Sequence, residues 1–379
     1  MTDKPQVPVS LAMQDHAMML TGTSAKKLFW DAKAMVDAII EATEYYQPDS
    51  ARLHIDWYNH EAEALGAKMI YGEHSKPTVD FGQPLIKEPG DLFKLKTPDF
   101  YRDGRLPYAL ECYRLMKEKK NAPALGHCSG PFSLAVALRS YPALIKDLRK
   151  RPEFARDLLD FTVDEVLLPY IKVQKEYCGV TSVSGANAWA SVPGLSPEEL
   201  MEWAVPWSKR LKEKALEFGI TAVSQCGEYS EERLENFDAG ILHRSFDVQI
   251  ASTGSVSLGL LLGRWQDYPL EPVLDYTAKY RKQGKRFPIQ LAVNARLLND
   301  GPIDKIVEVI KRFIRTFVPE HELEISMHPS AGNNPDHVHA AIAAVRTYSR
   351  APLSGNMDEI EFIPPRRESF QEWKKRMAV

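Results

Sequence analysis

Short apolar runs and long amphipathic stretches alternate along the chain from about residue 120, and this alternation restricts the fold more than any other feature. The short runs are rich in β-branched and small residues, which are typical of buried strands, whereas the long stretches have a helical period. Repeated switching between the two predicts successive β/α units. The predicted strands are 122–128, 180–186, 221–226, 240–246, 289–294 and 323–328.

Helical patterns lie between these strands, and some of their starts are well marked. Ser196 is followed by a proline and two glutamates, which predicts an N-cap, a proline in the first turn and acidic groups near the positive end of the helix dipole. A chain of 379 residues, 44% of them hydrophobic, can bury a large core. We therefore predict an α/β fold, a (β/α)8 TIM barrel, with an open doubly wound sheet as the alternative. The predicted helices are 132–148, 152–177, 197–218, 270–283, 303–317 and 336–348.

Residues 1–120 do not show the same alternation, and proline and glycine punctuate the stretch 76–103. They contain helical patterns at 34–46 and 106–119 and a strand-like segment at 52–57. No internal repeat or low-complexity linker divides the chain, which favours one domain. We predict three parts, an amino-terminal elaboration packed on the barrel (1–120), the main body of the barrel (121–350), and a tail with a short helix (351–379).

Charge and composition exclude several classes of partner. With 48 Lys and Arg against 51 Asp and Glu, the formal charge is −3, so no overall field would attract nucleic acid or an anionic membrane. The longest apolar run, 256–263, is far shorter than the roughly 20 residues that span a bilayer. The amino terminus lacks the pattern of a secretory signal, and the four cysteines are too widely spaced for a zinc ribbon or a disulfide framework. We expect a cytoplasmic protein with no nucleic-acid or membrane partner.

The carboxyl ends of barrel strands point into the active site, so the residues that follow each predicted strand are candidates for chemistry. Cys226, Glu228, His243 and His328 lie at or near such ends, and their thiolate, carboxylate and imidazole groups are the types that bind zinc. The spacing matches no short zinc motif. The alternative is that Cys226 is a small buried hydrophobic residue, His243 a hydrogen-bonded core histidine and His328 a loop residue.

Other strand ends provide candidates for binding a substrate. Tyr229 and Trp189 could line the wall of an aromatic site, although packing at the core or rim explains such residues equally well. Adjacent glycines favour a side chain of the segment that contains His127 as a pocket lining. No glycine-rich nucleotide motif follows a strand, which disfavours a nucleotide cofactor. The predicted substrate-binding residues are His127, Asn187, Trp189, Tyr229 and Asn294.

Several segments of the chain together have a recognisable pattern. They are 59–66 (NHEAEALG), 86–92 (IKEPGDL), 126–141 (GHCSGPFSLAVALRSY), 196–200 (SPEEL) with Pro206 and Trp207, Cys226 with Gly227, and Asn294 with 301–303 (GPI). These segments resemble the uroporphyrinogen decarboxylase superfamily, over roughly residues 30–350. The resemblance implies a TIM barrel, in agreement with the alternation of strands and helices.

This superfamily contains porphyrinogen decarboxylases and corrinoid-dependent methyltransferases. The decarboxylases carry an arginine-rich motif of the kind RQAGRY that binds substrate carboxylates, and residues 1–60 do not match it. Methyltransferases that act on thiols use a zinc motif His-x-Cys and a later Cys, where this chain has Ser224, Cys226 and His328. The altered set, together with 294–310, is more similar to the branch that demethylates phenyl methyl ethers, which includes vanillate-type O-demethylases.

The resemblance therefore implies a methyltransferase that moves a methyl group from a methoxylated aromatic compound to the cob(I)alamin of a separate corrinoid protein. Zinc would be held by Cys226, Glu228 and His328, with His243 as fourth ligand or general acid, and Glu228 and His243 would be catalytic. The oligomeric state stays open, with a homodimer among the candidates. A methylcobamide:thiol methyltransferase, a porphyrinogen-type decarboxylase and a non-catalytic barrel are the alternatives.

Overall fold

A computed structural model describes residues 7–378 without 54, 57–58, 74, 121–124, 232, 255, 259–266, 268, 283–288, 319–321 and 350–356. The strands are β1 Val9–Ala12, β2 Ser50–Arg52, β3 Met69–Ile70, β4 Thr78–Val79, β5 Leu125–Ser129, β6 Ser182–Ala186, β7 Ser191–Val192, β8 Thr221–Gln225, β9 Glu228–Tyr229, β10 Val256–Leu258, β11 Ile289–Val293 and β12 Leu323–Met327.

Helices separate most of these strands. They are α1 Asp15–Thr21, α2 Ala25–Leu28, α3 Ala32–Tyr46, α4 His60–Ala64, α5 Leu106–Lys120, α6 Pro131–Arg139, α7 Tyr141–Lys150, α8 Pro152–Phe161, α9 Leu168–Cys178, α10 Pro197–Trp203, α11 Val205–Glu217, α12 Ala239–Thr253, α13 Glu271–Arg281, α14 Ala295–Asp300, α15 Ile303–Phe317, α16 Pro335–Tyr348 and α17 Phe370–Met377. Within the described ranges, no helix combines the length and the apolar character that crossing a membrane requires.

Eight parallel strands form the centre of the fold. Five are hydrogen-bonded in the order β10-β11-β12-β1-β2, and three in the order β5-β6-β8. Read around the molecule, the strands follow chain order, as they do in a (β/α)8 barrel. The described residues show no ladder between β2 and β5 or between β8 and β10. The predicted α/β fold is confirmed.

The two faces of the strands differ in chemistry because successive side chains point to opposite sides. The face packed against helices is apolar and buried, as with Val9, Leu11 and Ile325. The opposite face, toward the barrel axis, carries polar side chains. There Ser10 and Gln290 both donate hydrogen bonds to Glu324, the second over 2.8 Å. These polar side chains thus hydrogen-bond to one another inside the barrel.

The first two strands of the barrel lie inside the range that the sequence assigns to an amino-terminal elaboration. β1 pairs with β12, and β2 pairs with β1. With four and three residues, these strands are too short to show a clear pattern in the sequence. Residues 1–120 thus supply part of the barrel as well as α1 to α5 and the β3–β4 hairpin.

One predicted strand is wrong. Residues 240–246 belong to helix α12, which begins after Asp238. The Asp238 carboxylate accepts a hydrogen bond from the backbone N–H of Ile241 at 2.8 Å, as an N-cap does. Leu242 and Phe246 are both fully buried and are four residues apart, which is the helical spacing. His243 is therefore on a helix and not at the end of a strand.

Candidate active site

A buried network of charged groups lies where β2 ends. Arg105 donates to the Asp56 carboxylate over 2.7 Å and to the Glu63 carboxylate over 2.6 Å, and its side chain is 3% exposed. Asn59 also donates to Asp56, over 2.5 Å. Gly104, with a φ of +53°, lies so close to α4 that a Cβ would be 2.9 Å from the backbone nitrogen of Ala64. This close approach brings Arg105 against α4.

Helix α4 connects this network to strand β5. Glu61 accepts hydrogen bonds from the backbone N–H and the hydroxyl of Ser129 at 2.8 and 2.9 Å. Burial raises the pKa of Glu61, and the charge on Asp56 adds to the rise. His60, the preceding residue, is buried, and its pKa is lowered by burial and then by the nearby charge of Arg105. His60 is therefore neutral at physiological pH.

His127 lies on β5 within reach of the same charges. Burial lowers the pKa of its imidazole to about 4, although the charge on Asp56 acts in the opposite direction. The backbone at His127 is fixed by Gln174 of α9, whose amide accepts from the backbone N–H at 3.1 Å and donates to the carbonyl at 3.0 Å. His127 was predicted to bind substrate, and the structure places it beside the network at the end of β2.

Several buried polar atoms around the strand ends have no hydrogen-bond partner among the described residues. Such atoms are rare in folded proteins because leaving them unsatisfied costs roughly 1–3 kcal/mol each. These atoms are candidates for contacts with a bound ligand or with ordered water. They are Gln14 Nε2, Asp15 Oδ1, His60 Nε2, Arg105 Nη1, Gln225 Nε2 and Glu228 Oε1.

Glu228 lies on the other side of the barrel, just after β8. Gly227 has a φ of +83°, and a Cβ there would be 2.5 Å from Val248 Cγ1, so only glycine suits the turn into β9. In β9 the Glu228 backbone pairs with Ser191 of β7. The residue is 6% exposed, and burial raises the pKa of its carboxyl to about 8. Glu228 therefore carries a proton at neutral pH.

The structure does not bring the predicted zinc ligands together. His243 lies on helix α12, and its Nε2 is 2.7 Å from the carbonyl oxygen of Pro272. Burial raises the pKa of the Cys226 thiol to about 11, although hydrogen bonds to Ser252 and Ser208 act to lower this pKa. In the part of the chain that is described, no three His, Cys, Asp or Glu side chains are placed to hold one metal ion. The described geometry gives no support to a zinc centre of Cys226, Glu228, His328 and His243, which stays a prediction.

Three of the other predicted substrate residues hold the local structure. The Asn187 amide donates to the hydroxyls of Ser208 and Ser224 at 3.0 and 3.2 Å and accepts from the backbone of Ser133 at 3.0 Å. Asn294 caps α14. The Tyr229 hydroxyl accepts from the backbone of Asp238 at 3.1 Å.

Trp189, the remaining predicted substrate residue, is partly exposed at the rim. Its ring is 5.4 Å from the rings of Phe81 and Tyr141, measured between centroids. An aromatic ligand could add to this group of rings.

Sequence reasoning did not select Gln14, Asp56, His60 or Arg105. Asp56 lies within the predicted strand-like segment 52–57, and His60 lies within a segment that carries the family resemblance, so a signal existed for both. Gln14 follows a strand of only four residues, and Arg105 immediately precedes a helix. Neither position has a sequence pattern that marks it as part of a site.

Comparisons with known proteins agree on the family. The profile of the family described as uroporphyrinogen decarboxylase (URO-D) matches residues 2–348. The uroporphyrinogen decarboxylase of Xylella fastidiosa is 21% identical over 306 residues, which cover 76% of this chain and 77% of that enzyme. That of Syntrophotalea carbinolica is 25% identical over 169 residues, 42% of this chain, and the match spans less than half, 46%, of that enzyme.

The fold is also found in a solved structure. A methyltransferase from Methanosarcina mazei superposes with a TM-score of 0.70 at 18% identity, over 92% of this chain and 96% of that chain. This similarity supports the α/β barrel architecture. Since the family profile covers nearly the whole sequence, the chain belongs to the uroporphyrinogen decarboxylase family.

Proposed function

We propose that this protein is a methyltransferase that moves a methyl group from a methoxylated aromatic compound to the cob(I)alamin of a separate corrinoid protein. The observation that carries the proposal is Glu228, a buried carboxyl at a strand end whose pKa is raised to about 8 by burial and whose Oε1 contacts no hydrogen-bond donor within the described residues. Family membership and the fold shared with a methyltransferase support it.

An aryl methyl ether resists cleavage because phenolate is a poor leaving group. Reduced cobalamin on the partner would supply the nucleophile and accept the methyl group. As the bond between the methyl carbon and the ether oxygen breaks, its electron pair stays on the oxygen, and Glu228 donates its proton there to give a phenol. Glu228 is left as a carboxylate and regains a proton from water. General acids of this kind contribute roughly 10²–10⁴-fold in rate.

Zinc binding stays a prediction from the resemblance, and no step above depends on it. Where zinc polarises an ether oxygen it replaces a proton donor. Glu228 would supply that role with a buried carboxyl whose pKa burial raises to about 8.

Porphyrinogen decarboxylation is the competing function, since both curated relatives named above are uroporphyrinogen decarboxylases. A porphyrinogen carries several carboxylates and needs cationic groups to bind them. Arg105 already pairs with Asp56 and Glu63, so its positive charge is balanced within the protein. This observation favours methyl transfer over decarboxylation.

The test mixes the purified protein with free cobalamin reduced to the cob(I) state and a methoxylated aromatic compound, and follows methylcobalamin by its absorbance. We expect methylcobalamin to form, and Glu228→Gln to lower the rate roughly 10²-fold or more because the amide cannot release a proton. Glu217→Gln makes the same chemical change at an exposed position of α11 and should leave the rate unchanged.

A parallel reaction supplies uroporphyrinogen and measures carbon dioxide. Release of carbon dioxide, without methylcobalamin from any methoxylated aromatic compound, would overturn the proposal in favour of the decarboxylase.

A further inference from the structure

Three buried nitrogen atoms near the ends of β1 and β2 form what we call the donor triad, Gln14 Nε2, His60 Nε2 and Arg105 Nη1. None of the three has a hydrogen-bond partner among the described residues, and the side chains belong to residues that are 7%, 4% and 3% exposed. Gln14 precedes α1, His60 begins α4, and Arg105 precedes α5. Each atom can donate a hydrogen bond, His60 in the tautomer with a proton on Nε2. A ligand that satisfies them must offer acceptor oxygens.

The charges around the triad disfavour a carboxylate ligand. Burial raises the pKa of Asp15, and the charge on Asp56 raises it further, against the effect of Lys76. Carboxyl groups outnumber cationic groups in the described part of this network, four to two. The carboxyl groups are Asp15, Asp56, Glu61 and Glu63, and the cationic groups are Lys76 and Arg105.

Arg105 does not offset this excess, because its guanidinium already contacts two carboxylates at 2.7 and 2.6 Å. Its Nη1 can still donate a hydrogen bond, although the two carboxylates already balance the positive charge of the guanidinium. The neighbouring His60 is neutral and adds a donor without adding positive charge. The site thus offers donors without net positive charge, which suits an uncharged hydroxyl or ether oxygen better than an anion.

The position of the triad relative to Glu228 indicates how a substrate would lie. When the two parallel sheets are arranged as a (β/α)8 barrel, with the strands in the order β1, β2, β5, β6, β8, β10, β11, β12, strand β8 is opposite β1. Gln14 follows β1, whereas Glu228 follows β8, so the two lie on opposite sides of the barrel mouth. In (β/α)8 barrels the ligand binds at this mouth, between the segments that follow the strands. A single aromatic ring with oxygen substituents at opposite positions matches this arrangement.

We infer that the donor triad binds an uncharged oxygen substituent, so that the methyl donor is a methoxyphenol and not a methoxybenzoate. This inference rests on the proposed function, since it assigns the far end of the same substrate. A site of this kind disfavours vanillate-like compounds, which carry a carboxylate.

The test measures equilibrium binding of 4-methoxyphenol and 4-methoxybenzoate by calorimetry at pH 7, without any corrinoid. These probes share the methoxyphenyl ring and differ in the group opposite the methoxy group, which is an uncharged hydroxyl in one and a carboxylate in the other. We expect 4-methoxyphenol to bind at least about tenfold more tightly. Glu63→Gln, which removes one negative charge next to Arg105, should narrow the difference between the two.

Gln14→Met removes one donor of the triad and breaks no side-chain hydrogen bond of Gln14 within the described residues, so the variant is expected to fold. It should weaken 4-methoxyphenol binding roughly three- to tenfold. Tyr170→Phe is the matched control. Its hydroxyl is also buried without a partner in the described residues, but it lies on α9, against Phe100, outside the triad. This control should leave binding unchanged.

Two results would overturn the inference. If 4-methoxybenzoate binds as tightly as 4-methoxyphenol and donates its methyl group to cob(I)alamin, the charge argument is wrong while the proposed function holds. If neither ether binds and neither yields methylcobalamin, the proposed function fails as well. Equal loss of binding in Gln14→Met and Tyr170→Phe would also contradict a specific role for the triad.

Discussion

Asp56 and Glu228 are both buried carboxyls beside strand ends, yet their surroundings differ in every respect that matters for chemistry. Asp56 accepts hydrogen bonds from Arg105 and Asn59, so it is held in an ion pair. Glu228 has no cationic partner in the described residues, and burial keeps it protonated. The comparison teaches that a paired buried carboxylate positions other groups, whereas an unpaired buried carboxyl can donate a proton.

The largest expected effect comes from disrupting the ion pairs around Asp56. Arg105→Met should lower the free energy of unfolding by about 3–5 kcal/mol, because Asp56 and Glu63 would remain buried without their cation. Urea unfolding followed by circular dichroism measures the loss. Arg102→Met is the control, since the Arg102 side chain is 84% exposed and should contribute little. Equal effects of the two substitutions would show that the network does not stabilise the fold.

Acid pH should lower the free energy of unfolding through His127, which lies near Asp56. Its pKa is about 4 in the folded protein and about 6.5 when unfolded, so between these values only the unfolded state gains the proton. The stability due to His127 is therefore intact above pH 6.5 and is lost progressively as the pH falls toward 4. Between pH 7 and 5 the loss is about 2 kcal/mol.

His127→Gln should reduce the decrease in unfolding free energy between pH 7 and 5 by that amount, because glutamine does not titrate. Urea unfolding of both proteins at the two pH values measures it. An identical decrease in both proteins would show that the imidazole is already protonated or exposed in the folded state.

The smallest expected effect comes from a substitution at Cys226, two residues from Glu228. Cys226→Ser should change the rate of methyl transfer by less than about threefold, because the thiol packs beside the hydroxyls of Ser208 and Ser252 and a serine can be accommodated there. Activity and zinc content are measured on the same preparation. Loss of both together would restore Cys226 as a zinc ligand and remove the contrast with Asp56.

The sequence predicted the parts of the fold that depend on local signals. Strands β5, β6, β8, β11 and β12 lie within the predicted runs to within a few residues, because those runs are apolar and bounded by helix starts. Residues 240–246 were misassigned because their composition suits a strand, while the cap at Asp238 starts a helix. β1 and β2 depend on pairing with β12 and with each other, which no local pattern encodes.

The residues of the candidate site also divide into those that local sequence signals mark and those that only the folded chain brings together. Glu228 and His127 could be selected because each lies at or near a predicted strand end. The contact of Asp56 with Arg105 joins residues 49 apart and exists only once α4 and α5 have packed. Whether a buried polar atom has a partner is likewise a property of the folded chain, so the donor triad had no signature in the sequence.

Proton donation by Glu228 is tested most directly by the leaving-group dependence of methyl transfer. A series of 4-methoxyphenols with further ring substituents that alter the acidity of the released phenol is compared in the wild type and in Glu228→Gln. If Glu228 protonates the ether oxygen, the rate should depend weakly on that acidity in the wild type and steeply in the variant. Equal slopes in the two proteins would contradict the account.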